Sequence, residues 1–253
     1  MFKTAAGMLS VAADFTPDEK KGQGREWVQN QVFGLCNKLR NLGVEIKVES
    51  ALRACGYELI RQVSTLNFKV FADLKLFGTA ETLKSEGKIL KEFRPDVLTV
   101  VCGCGVEAMS ALRKELPETE LIGITALTNL DDNQTARMYG STVQESVIKF
   151  ALMAKEAGLD GIVASPKEIS LIRKNPKLSS LSVSTPGVKL GGSGRVGKGH
   201  NSSRIASPGY AVEAGAKRII VGKAIIDCEY VSEAAEEVIN EIMVGLTARR
   251  KPA

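Results

Sequence analysis

The chain has 253 residues, 44% hydrophobic but only 5% aromatic, with a formal net charge of +5. That balance favours small anions but is too slight and too scattered for a nucleic-acid-binding arm, and five cysteines without a CxxC pair exclude a zinc framework or a disulfide scaffold. With no run of about 20 apolar residues and no charged-then-apolar leader, neither a membrane span nor secretion is expected, and a cytoplasmic protein with reduced thiols is the default.

In chain order, short Val/Ile-rich runs predict strands at 9–14, 44–48, 68–74, 97–102, 121–125, 161–164, 181–184 and 218–221. Between them, apolar spacing predicts helices near 25–42, 50–65, 79–93, 105–115, 142–157, 166–174, 207–214 and 231–245. The spacing Val147, Phe150, Ala151, Ala154 is of this kind, and Gly158 and Gly215 are the stop signals of two of these helices. Eight strand-then-helix units in this length predict an α/β fold, a (β/α)8 TIM barrel forming a single domain over 1–253. A doubly wound open sheet is the rival, but it needs a phosphate loop after its first strand, where this chain has Asp14-Phe15-Thr16-Pro17.

In a barrel the chemistry collects at the C-terminal strand ends. Polar residues stand there: Asp14 after strand 1, Lys47 near the end of strand 2, Asp73 and Lys75 on strand 3. Thr128 and Asn129 follow strand 5, Lys189 follows strand 7, and Gly222 and Lys223 follow strand 8. Asp73 and Lys75, two apart on a strand, share one face. Opposite charges on an apolar strand are costly to bury unless they pair, so the choice is between a structural ion pair and a working one. Asp14 and Asp73, with Glu49, are the carboxylates that could meet a divalent metal, a thin set for magnesium without help from substrate.

Residues 187–206 form a Gly-rich segment read as a cationic phosphate-binding lid carrying Lys189, Arg195, Lys198 and Arg204. Within it Gly192-x-Gly194-x-x-Gly197 matches a dinucleotide fingerprint and Gly192-x4-Gly197-Lys198 nearly matches a P-loop. Neither is followed by a helix, and Gly199 stands where a P-loop needs Ser or Thr. Gly222 and Lys223 sit where barrels commonly grip phosphate. His200, the one histidine, lies in the lid, so a fixed imidazole is not expected in the barrel mouth. Cys102 and Cys104, at the mouth end of strand 4, are expected to fill core.

Taken together, Val11-Ala12-Ala13-Asp14, Ile46-Lys47-Val48, Asp73-Leu74-Lys75-Leu76, Leu127-Thr128-Asn129, Thr185-Pro186-Gly187-Val188-Lys189 and Val221-Gly222-Lys223 fall in an order that resembles the orotidine 5′-phosphate decarboxylase family. The resemblance runs over nearly the whole chain and is densest from 121 to 226. It implies a TIM barrel, usually a homodimer, acting on a small nucleotide without metal or cofactor, with no nucleic-acid or membrane partner. It implies that Lys47, Asp73 and Lys75 are catalytic, with Lys75 protonating a carbanion as UMP and CO2 form in pyrimidine nucleotide synthesis. It places Asp14 on the ribose, Thr128 and Asn129 near the nucleotide, and Lys189, Ser202, Gly222 and Lys223 on the substrate's phosphate side.

The chain also departs from the family. The family's second aspartate, donated to the neighbouring subunit, is matched by Gly78, preceded by Phe77, and the next four residues are Thr79-Ala80-Glu81-Thr82. Asn129 stands for a serine, Lys189 and Lys223 for arginines, Ser202 for a glutamine, and Glu49 for a small residue. Lysine cannot offer the bidentate fork of arginine. Glu49 and Glu81 are the carboxylates near enough in sequence to stand in for the missing one. Two other readings therefore stay open: a sugar-phosphate lyase, aldolase or epimerase of the same superfamily, or a catalytically weak nucleotide- or phosphate-binding homologue.

Overall fold

β-Branched runs too short for helices and flanked by turn residues leave the Val/Ile segments one stable option, a sheet covered on its outer face. The computed structural model describes residues 1–188 and 204–250, and among them eight parallel strands close into a barrel in sequence order. The strands are β1 (Leu9–Ala12), β2 (Glu45–Val48), β3 (Val70–Leu76), β4 (Val97–Val101), β5 (Glu120–Ile124), β6 (Gly161–Val163), β7 (Ser182–Thr185) and β8 (Arg218–Val221). Closure is carried by the β1–β8 register Leu9↔Ile219, Ser10↔Ile220, Val11↔Val221. The open-sheet rival is thereby excluded.

Around the barrel run α1 (Phe2–Ala6), α2 (Arg25–Leu39), α3 (Ser50–Cys55), α4 (Glu58–Thr65), α5 (Ala80–Phe93), α6 (Val106–Glu115), α7 (Asp132–Tyr139), α8 (Val143–Glu156), α9 (Ile169–Lys174), α10 (Pro208–Ala214), α11 (Lys223–Ile226) and α12 (Val231–Arg249). The single helix expected over 50–65 is two, because Gly56 adopts φ +81°, a conformation that ends α3. α1, α7 and α11 were not expected: each is short and offers little periodicity to read. The long α8 begins with a capping box in which Thr142 and Glu145 satisfy each other's backbone N–H groups.

Two cores follow from the alternation of side chains along each strand. The larger fills the layer between strands and helices, while Ala12, Phe71, Val97, Ile122, Ile124, Val163 and Ile220 pack inside the barrel. Cys102 was expected at the mouth. It packs instead in the outer layer, where burial pushes its thiol up to about 12 and leaves it an inert apolar filler. No helix among the described residues is long and apolar enough to cross a membrane.

The N-terminal end of the barrel is sealed by charge. Arg218, at the start of β8, pairs with Glu45 at 2.9 Å and Glu120 at 2.7 Å, and donates to Ser184 Oγ at 3.0 Å. Burial raises the pKa of Glu45 more than Arg218 lowers it. Above this plug the Phe71 ring lies 5.5 Å from the Arg218 guanidinium carbon.

Candidate active site

The opposite, C-terminal end of the barrel is open. It holds a cavity of about 270 Å³, near the small end of the roughly 300–1,000 Å³ usual for ligand pockets. Its floor is the inner core, with Ala12, Phe71, Ile124, Val163 and Ile220 exposed to it, and its polar wall is Asp14, Lys47, Glu49, Asp73 and Lys75.

These five side chains form one chain of alternating charge. Lys47 Nζ lies 3.1 Å from Asp14 Oδ1 and 3.0 Å from Asp73 Oδ2. The same Asp73 oxygen is 3.0 Å from Lys75 Nζ, which is 2.7 Å from Glu49 Oε2. Glu49 also reaches Lys47 at 3.8 Å. Burial alone would drive the Lys47 ammonium toward its neutral form, but Asp73, Asp14 and Glu49 together outweigh it and hold its pKa above the ordinary lysine value. Burial likewise pushes the Asp73 carboxyl up, yet Lys47 and Lys75 more than reverse this and hold it below the usual carboxylate range. Lys47 and Asp73 are thus held in their charged forms above an apolar floor, where charges act most strongly.

Strand β3 departs from regularity to build it. Four steps along β3, from Ala72 to Leu76, are matched by only two on β4, from Leu98 to Val100. Within this bulge Lys75 takes φ +51°, a left-handed conformation costing about 1–2 kcal/mol in a residue with a Cβ. Thr99 of β4 fills the gap: its hydroxyl accepts the Lys75 N–H at 2.9 Å and donates to Asp73 Oδ1 at 2.9 Å. Bulges beside working sites commonly re-aim a side chain in this way. Thr99 was not singled out in the sequence. Its signal was there, as the one polar residue in Val97-Leu98-Thr99-Val100-Val101.

Of the residues expected at the site, Asp14, Lys47, Asp73, Lys75, Thr128, Gly222 and Lys223 all line this cavity. Asn129 does not; it is exposed beyond the cavity wall. Lys189 and Ser202 lie outside the described residues, as do Arg195, Lys198 and His200. Arg204 is corrected: it is no free lid cation but is 6% exposed, donating to Glu168 at 3.2 and 3.0 Å and to the carbonyls of Leu127 and Leu130. Together with the Val188–Ala206 bridge, this contact ties the chain ends at 188 and 204 to the barrel rim. Of the two stand-in carboxylates, Glu49 enters the array, while Glu81 lies in the first turn of α5 and does not line the cavity.

In sequence and in fold the chain is similar to known proteins over most of its length. Residues 7–238 match the family described as Orotidine 5′-phosphate decarboxylase / HUMPS. The orotidine 5′-phosphate decarboxylase of Streptococcus gordonii is 36% identical over 188 residues, covering 73% of this chain and 80% of its own length. That of Streptococcus pneumoniae is 35% identical over 181 residues, covering 70% and 75%. Among solved structures, orotidine 5′-phosphate decarboxylase from Lactobacillus acidophilus superposes with a TM-score of 0.73 at 22% identity, over 92% of this chain and 97% of that one. The enzyme of the same name from Pyrococcus horikoshii OT3 gives 0.73 at 21% identity, over 93% and 99%. At such identities the two structures speak for the fold, and the sequence matches speak for ancestry: the chain belongs to the orotidine 5′-phosphate decarboxylase / HUMPS family.

Proposed function

We propose that this protein converts orotidine 5′-phosphate to UMP and CO2 in pyrimidine nucleotide synthesis, by charge stabilisation and proton transfer from its own side chains. The observation that carries the reading is the array itself: a lysine ammonium held by carboxylates, facing a cavity with an apolar floor, in a family whose named relatives are decarboxylases. When the bond from pyrimidine C6 to its carboxylate breaks, the electron pair stays on C6 and CO2 leaves. The Lys75 ammonium stabilises that developing charge, then gives C6 a proton and regains one from water. Lys47, locked between Asp14 and Asp73, keeps the array rigid and its net charge fixed. Asp14 is suited to accept from ribose hydroxyls, Thr128 lies along the nucleotide's path, and Gly222 with Lys223 forms the phosphate side of the rim, to which the resemblance adds Lys189 and Ser202.

The test is loss of the orotate chromophore on incubation with orotidine 5′-phosphate, with and without EDTA, beside titration with UMP. Turnover that persists in EDTA and falls by about 10²–10⁴-fold in Lys75→Ala supports the reading. UMP binding without turnover overturns it in favour of a nucleotide-binding homologue. EDTA-sensitive turnover of a sugar phosphate would favour the other enzymes of the superfamily.

A further inference from the structure

Glu49 follows β2 directly and is the residue at which α3 begins. Its carbonyl accepts from the N–H groups of Leu52 at 3.1 Å and Arg53 at 3.3 Å, but its side chain makes no capping bond. Helix starts favour Ser, Thr, Asp or Asn, whose short side chains satisfy orphan N–H groups. Glu49 forgoes that role, and its carboxylate instead makes the shortest ion pair of the array, 2.7 Å to Lys75. A residue that breaks a local rule at a cavity wall is where function is expected to have overridden stability.

Resting on the decarboxylase reading, we infer that Glu49 is a positioning residue that supplies the second carboxylate of Lys75 from the same chain, so that each barrel's charge array is complete without a residue from another copy. Asp73 cannot orient Lys75 alone, because its Oδ2 is shared with Lys47 at the same 3.0 Å. An ammonium has three donors. Asp73 and Glu49 direct two of them, which leaves one for the reacting atom. Position 78 offers no substitute: it has no side chain, and a Cβ built there would lie 2.9 Å from Thr82 Cγ2.

Glu49→Gln tests this, since it keeps the shape and removes the charge at a side chain only partly buried. We expect kcat for orotidine 5′-phosphate to fall about 10–100-fold, the equivalent of one charged hydrogen bond, with KM and UMP affinity within about threefold of wild type. Mixing and exchanging subunits of Glu49→Gln and Lys75→Ala should restore no activity, because in cis every site keeps one defect. Restoration of about a quarter of wild-type activity would mean that Glu49 works across an interface, since half the mixed dimers' sites would then be whole. That result, or wild-type kcat in Glu49→Gln, overturns the inference. Should wild type bind UMP yet decarboxylate nothing, the functional reading fails alone, and ¹⁵N spectra of lysine ammonium groups decide this one. A resonance assigned to Lys75 by its absence in Lys75→Gln must shift or broaden in Glu49→Gln; an unchanged resonance refutes the contact.

Discussion

Thr99→Val swaps one methyl-sized group and should disable the array without touching any charge. Thr99 is fully buried, and its hydroxyl makes two bonds of 2.9 Å, one donated to Asp73 and one accepted from the Lys75 backbone. Losing a hydrogen bond to a charged partner costs about 1.5–3 kcal/mol, and leaving a buried amide unsatisfied costs about 1–3 kcal/mol more. The expected destabilisation is therefore about 2.5–6 kcal/mol, which for a chain of this size lowers Tm by roughly 5–24 °C. Activity should suffer separately. The Thr99 hydroxyl is what tethers Lys75 in its left-handed conformation. Without it the backbone can relax, and the ammonium swings away from the position that Asp73 and Glu49 define; a misplacement of about 1 Å can cost on the order of 100-fold in rate. Urea and thermal unfolding read the first effect, and orotate loss at saturating substrate reads the second. A variant that melts within about 2 °C of wild type and turns over at the same rate would refute the bulge-and-tether argument.

Two further expectations follow from the same geometry. Gly78→Asp introduces the residue type that the sequence resemblance implies at this position, but its Cβ would meet Thr82, whose hydroxyl and N–H both engage the α5 cap residue Thr79. The variant should lose about 1–3 kcal/mol to overpacking with no gain in kcat, and adding Thr82→Ala should return most of that stability; a stable, faster single variant would contradict this. Asp73 gives a pH test. Its folded pKa is depressed, so its contribution to stability is fully present above the unfolded value of about 3.9 and is lost as pH falls through the folded one. The gap in urea midpoint between wild type and Asp73→Asn should narrow from pH 6 toward pH 3, and a gap that stays constant would show that Asp73 titrates alike in both states.

Much of this was legible because barrels obey a spatial rule that sequence also obeys. Charges at the C-terminal ends of apolar strands can only meet at one rim, so Asp14, Lys47, Asp73 and Lys75 were readable without coordinates. What failed to read were partners far apart in sequence and side-chain directions set by loops. Arg204 looked like a free cation because its acceptor, Glu168, is 36 residues away. Asn129 looked like a neighbour of Thr128, but the turn after β5 sends the two in different directions. Glu49 could be suspected of replacing a carboxylate, yet only the backbone at the start of α3 decides whether its side chain caps that helix or crosses to Lys75. Gly56 was a helix stop in plain view, masked by apolar periodicity that continues on both sides of it.

Both ends of this barrel bury ions, and comparing them explains why only one can do chemistry. At the N-terminal end one arginine is shared by two glutamates and a serine, so its guanidinium is held between strands of the sheet. Such a cluster resists opening, because removing one partner strands the others without water. At the C-terminal end three carboxylates hold two lysines, and the arrangement faces a cavity instead of a neighbouring strand. Phe71 stands between the two, its ring over Arg218 on one side and part of the cavity floor on the other. It keeps the lower charges and any water around them from screening the upper array. The strand that carries Phe71, Asp73 and Lys75 therefore sets the insulating ring, the shared carboxylate and the lysine proposed as the acid in one run of five residues. Its bulge is the backbone strain that lets the last of them face the cavity, and Thr99 is the contact that keeps that strain from relaxing.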